Sequence, residues 1–298
     1  MKSNIYIFFI VLVYFGNGMQ AQSLLDELNE SYTDPPQFES AVFKSSRISI
    51  GHSTKTLQKG VLEIGARNRF WNVADADIQS FVADKMSTRF SLEYGVNDRF
   101  TFGLGGTTLD GIFDGFLKYK LVRQQKKGFP FTITLLQNSA YQSERPSIGD
   151  VHKSSTFGDK LSFTSQLLMS RKITSQFSLQ LSPTFLHRAS SNFEEDPNNH
   201  FALGIGGRYK VGGHISIVSE YYHLFNPLES RDTYNAFALG VNWELSDVML
   251  QFQMTNAQGV EEHNFITQTP NNFNFNDGNF VFGFTAIFIL HTRNGLKK

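Results

Sequence analysis

From Gly60 onward the chain alternates apolar and polar residues with a period of two, and this restricts its fold more than any other feature. A period of two belongs to strands whose two faces meet different surroundings. In 61–70, Leu62, Ile64, Ala66 and Phe70 share one face, while Glu63, Gly65, Arg67 and Arg69 share the other. Phe90, Leu92 and Tyr94 oppose Arg89, Ser91 and Glu93, and Phe237, Leu239, Val241 and Trp243 oppose Ala238, Gly240, Asn242 and Glu244. The same reading picks out 99–108, 112–122, 129–140, 161–169, 177–185, 201–209, 215–221, 250–255 and 280–288, which makes 12 candidate strands.

The connections between these stretches alternate in length. Tight ones fall at Asn97-Asp98, Gln124 to Gly128, Thr174-Ser175, Gly212-Gly213 and Ser246-Asp247. Longer ones run over 72–84, 141–158, 189–200, 225–232 and 256–277, and only the connection near Asp110-Gly111 is short on that side. Short turns at one end and long loops at the other are the habit of outer-membrane barrels. A soluble sandwich has no reason to sort its connections this way. The composition decides which face points out. The chain has 30 Phe, 10 Tyr and 2 Trp, against only 18% charged residues. About eight strands already fill a barrel interior with side chains, so a 12-stranded one cannot be packed by its own aromatic face. That face must meet lipid. The expected fold is therefore all-β, an antiparallel up-and-down transmembrane β-barrel of about 12 strands with a short N-terminal periplasmic segment. Rings near the strand ends, such as Phe70, Tyr94, Tyr119, Tyr209 and Trp243, suit interfacial girdles.

The N-terminus reads as an export signal. Lys2 precedes the apolar run Ile5–Phe15, and small residues follow up to Ala21, so 1–21 is the expected signal peptide. The run is too short to span a bilayer as a helix. Residues 22–59 break the alternation and read either as a lumen-covering or periplasmic segment or as a plain linker. Residues 60–290 form the expected barrel and 291–298 a tail. With no cysteine, disulfides, thiolate metal sites and cysteine nucleophiles are excluded. Lys+Arg 27 against Asp+Glu 27 leaves no bulk charge to drive nucleic-acid binding. The expected surroundings are the lipid of the cell outer membrane.

Several stretches carry a family likeness: Phe43-Lys44-Ser45-Ser46-Arg47-Ile48, Leu57-Gln58-Lys59-Gly60-Val61-Leu62, Asp114-Gly115-Phe116-Leu117-Lys118-Tyr119-Lys120, Pro183-Thr184-Phe185-Leu186-His187-Arg188, Glu195-Asp196-Pro197-Asn198, Phe201 to Lys210, and Phe265-Ile266-Thr267. From about Phe43 to Phe288 the chain resembles a family of Gram-negative β-barrel proteins known as domain of unknown function 5777. The resemblance implies a signal-bearing outer-membrane barrel and brings no activity, substrate or catalytic residue. Many barrels end on an aromatic residue, whereas here His291 to Lys298 follow Leu290.

Chemical motifs are sparse. Gly103-Leu104-Gly105-Gly106 and Gly204-Ile205-Gly206-Gly207 lack the spacing and following helix of a phosphate loop, and read as glycine lining an inner wall where strands coil closely. Glu261-Glu262-His263 falls in an expected external loop, where solvated charge is the default reading. Asp196, His200 and His187 cluster in sequence around one loop without a serine motif. No catalytic residue, metal site or cofactor is expected. The informative residues are the charges on the polar faces: Glu63, Arg67, Arg69, Arg89, Glu93, Lys118, Lys120, Arg208, Glu220 and Glu244, all expected to face the lumen. They suit either a water-filled pore or a closed network of ion pairs, because unpaired buried charge does not persist. The leading expectation is a narrow channel or small-solute transporter of unknown specific role. The alternatives are a non-conducting barrel presenting loops 141–158 and 256–277 to a partner, or a hydrolase at the rim.

Overall fold

The computed structural model describes residues 36–40, 42–72, 84–143, 156–190, 193–274 and 280–292. The expected signal peptide, residues 22–35, most of loops 72–84 and 141–158, residues 275–279 and the end of the tail lie outside them. Twelve strands follow one another: β1 (Val61–Trp71), β2 (Lys85–Asn97), β3 (Phe100–Thr107), β4 (Ile112–Val122), β5 (Thr132–Gln142), β6 (Leu161–Lys172), β7 (Phe177–Arg188), β8 (Asn199–Lys210), β9 (Ile215–Leu224), β10 (Phe237–Leu245), β11 (Val248–Thr255) and β12 (Val281–His291). Among the described residues one short α-helix, α1 (Glu262–Thr267), interrupts the last connection. Every strand pairs antiparallel with its chain neighbours, and β1 closes on β12 from Val61–His291 to Trp71–Val281, so no edge is left unpaired.

The alternation sets the wall. Phe90, Leu104 and Phe113 are 62%, 61% and 62% exposed on the outside, whereas Arg89 and Lys118 are fully buried inside. Bulges between Gly95 and Asn97 and between Lys120 and Val122 disturb the register only at the turn end. The stretch read as a strand over 129–140 joins the ladder only at Thr132. Pro130 has no N–H to donate, and the turn before it closes through a bond from Gln125 N to the Phe129 carbonyl at 2.9 Å.

The inner glycines line the wall and also make room inside it. A Cβ on Gly105 would strike the Arg89 guanidinium, and one on Gly204 would lie 2.5 Å from the Tyr222 ring. They clear room for large inward side chains as well as for the curvature of the wall.

Candidate functional site: a lumen filled by two segments

Residues 42–57, here the strap, run through the lumen, and all but Lys44 and Lys55 are buried. The strap folds on itself at 46–53, where Ile48 N donates to the Gly51 carbonyl at 3.0 Å and Ser53 N to Ser46 at 2.9 Å. It has too few internal partners to stand alone, and the wall supplies the rest. The Glu220 carboxylate on β9 accepts three consecutive strap N–H groups, from Ser49 at 2.7 Å, Ile50 at 2.6 Å and Gly51 at 3.1 Å. Lys118 on β4 donates to the Ser46 carbonyl at 2.7 Å. Gln180 on β7 accepts from Thr54 N at 2.9 Å and donates to the His52 carbonyl at 2.7 Å. Gln251 on β11 donates to the Ile48 carbonyl at 2.7 Å. Ser46 Oγ reaches Glu63 at 3.2 Å. Hydrogen bonds to charged groups are the strong ones, so Glu220 and Lys118 are the principal anchors.

The second filler is the connection after β11. The residues from Asn256 to Thr267, apart from half-buried Gln258, are buried and turn inward. The expectation of a solvated external Glu261-Glu262-His263 is therefore wrong. Of the loop 256–277 expected in the alternative to be presented to a partner, residues 256–267 are turned inward instead. The physical reason is twofold. Phe265, Ile266 and Ala257 join Ile50 of the strap and Leu186, Ala202, Tyr222, Leu224, Ala236 and Ala238 of the wall in one apolar cluster inside the lumen. The two glutamates then meet cations: Glu261 pairs with Arg89, and Glu262 with Arg47 of the strap at 2.8 Å. Asn138 on β5 donates to both, at 3.2 Å and 2.7 Å. Arg89 also binds Asp114 on β4, Nε to Oδ1 at 3.0 Å.

Glu63, Arg67, Arg69, Arg89, Glu93, Lys118, Arg208 and Glu220 are buried on the inner side, while Lys120 and Glu244 are half-buried nearer the turn end. Arg67 lies 3.5 Å from Glu93 and bonds Ser91 at 2.7 Å; Arg208 pairs with Glu244 at 2.5 Å. Gln253 sits between Ser49, at 2.5 Å, and Arg69. Sequence reasoning missed Arg47, Asp114, Glu261 and Glu262 as partners of these charges. Asp114 lay on the polar face of β4 and was legible there. The other three sit in stretches without alternation, where no periodicity signals burial.

His263 is pushed down to about 4, by burial first and then by the Arg188 cation. Burial, with the Arg47, Lys118, Arg89 and Arg67 cations, holds His52 well below the usual histidine range. Both rings are neutral fillers at neutral pH.

The trio Asp196, His200 and His187 does not assemble. His187 bonds Asn199 at 2.8 Å on the outer side of the wall, and His200 points inward to the Asn226 carbonyl at 2.9 Å. Asp196 is taken by the N–H groups of Glu229 and Ser230. Among the described residues no group of histidines and acids is arranged to hold a metal.

Residues 43–290 match a family described as a membrane bound beta barrel domain, domain of unknown function 5777. The chain belongs to this family. An antiparallel membrane-bound barrel of this kind sits in an outer membrane. Its described helices include none long and apolar enough to cross a bilayer; the strands make the crossing. No curated protein matches the sequence. Among solved structures, the NanC porin and the KdgM porin are similar at 9% identity and a TM-score of 0.48, covering 76% of this chain and 98% of theirs. An outer membrane channel from Pseudomonas putida F1 is similar at 12% identity and a TM-score of 0.47, over 83% of this chain and 100% of its own. These likenesses are distant.

Proposed function

We propose that this family member is a small-solute channel whose lumen is closed in the present state by the strap and the inward α1 segment. The observation that carries the reading is how the lumen is filled. Much of the filling comes from two segments outside the barrel ladder, and they are held largely by polar and charged wall residues. Such a wall is compatible with water once the fillers leave, because Lys118, Glu220 and Arg89 lose protein partners that solvent replaces.

Planar-bilayer recording tests this. The full-length protein is expected to conduct rarely. A variant lacking residues 42–57 is expected to give steady ohmic steps. A deletion variant that folds as a barrel and stays electrically silent would overturn the channel and leave the second reading, a non-conducting structural barrel. A rim hydrolase draws no support from the separated His187, His200 and Asp196.

A further inference from the structure

A cavity of about 510 Å³ opens at the turn end, between the strap and the wall, with Asp98, Ser246 and Asp247 at its rim. Its lining carries four cations, Lys44 and Lys55 from the strap, Lys120 from β4 and Arg123 just beyond it. None of the four forms an ion pair with an acidic side chain among the described residues. The acids of the same cavity each have a polar neighbour, two of them a fixed cation. Glu39 is 3.7 Å from Lys172, Glu244 is 2.5 Å from Arg208, and Asp247 is 3.5 Å from His291. Asp98 accepts the Lys59 N–H at 3.2 Å.

The cations also crowd one another. Lys120 lies within electrostatic reach of both Arg123 and Lys55, which outweigh the opposing charge of Asp98. Burial, opposed by Glu63 and reinforced by Lys44, holds Lys55 below the usual lysine range. Arg123 has turned onto the Phe38 ring, 4.5 Å from its centre, and among the described residues Lys55 Nζ bonds the Lys44 carbonyl alone. Like charges brought together in a recess destabilise the empty site and favour an anion between them.

We infer that this turn-end cavity is a binding site for a small organic solute bearing two or more negative charges, held by Lys44, Lys55, Lys120 and Arg123. The volume fits a compact solute of this kind and falls in the ordinary range for small-molecule sites, about 300–1,000 Å³. Binding here names a solute class for the channel reading and rests on it only in that respect, since occupancy does not require conduction.

Calorimetric titration of the refolded full-length barrel with citrate, and separately with spermidine, tests the site. Citrate is expected to bind and spermidine not. Lys120→Gln combined with Arg123→Gln is expected to weaken citrate by roughly tenfold or more, the scale of losing charge-assisted hydrogen bonds. Lys44→Gln, on an exposed strap position that leaves the wall untouched, is expected to weaken it by roughly threefold if it provides half that scale. Spermidine binding in place of citrate, or citrate binding equally well to the parent and to the folded variants, overturns the inference. A barrel that binds citrate yet never conducts keeps this site and removes the channel.

Discussion

Arg89 shows what a single inward residue does here. Its guanidinium holds Asp114 of the wall and Glu261 of the inward segment at once, with Gly105 clearing the space beside it. Arg89→Met leaves two buried carboxylates without the cation that bonds them, a change that costs about 3–5 kcal/mol. A fall of that order in the unfolding free energy, read from urea denaturation, is expected, and adding Asp114→Asn with Glu261→Gln should recover most of it. The histidines give a pH dependence at the same scale. His263 sits at about 4 in the packed state, against about 6.5 when released. Its contribution to packing is thus complete above pH 6.5 and lost as pH falls towards 4, at roughly 1.4 kcal/mol per unit. His52 acts in the same direction. Hydrogen exchange of residues 256–270 should speed up over that window, and His263→Gln should flatten the response.

For the strands, the alternation is the controlling fact, and β2 tests it. Arg89, Ser91 and Glu93 are buried, whereas Phe90 and Leu92 are 62% and 52% exposed. Single cysteines at 90, 92 and 94 should meet a membrane-soluble spin-relaxing agent, and those at 89, 91 and 93 should not, with no native cysteine to confuse the signal. Leu92→Arg should cost about 2–4 kcal/mol near the bilayer midplane. The strands were legible because each face of the wall meets one environment along its whole length. The start of β5 was not, because the apolar pair Phe129 and Phe131 continues the pattern while Pro130 ends the ladder.

At the scale of the whole molecule, closure and filling are separable. The ladder runs unbroken from β1 through β12 and back, with no hydrogen bond of the strap needed to close it. Deleting residues 42–57 should therefore preserve the strand circular dichroism and the anomalous migration of an unheated barrel, while lowering the unfolding temperature. The anchors Glu220 and Lys118 are expected to share that loss, since each bonds the strap backbone directly.

The sequence by itself determined the barrel: the number of strands, their phase and the faces that meet lipid. All of these follow from a two-residue repeat facing lipid on one side, which is local information. Only the tertiary structure decided what occupies the interior. Arg47, Glu261 and Glu262 lie in irregular segments, where burial depends on partners far away in the chain: Arg47 pairs with Glu262, and Glu261 with Arg89. A lumen wide enough to admit a second layer of chain leaves no periodic mark on the segment that enters it, so that segment becomes visible only when the wall around it is closed.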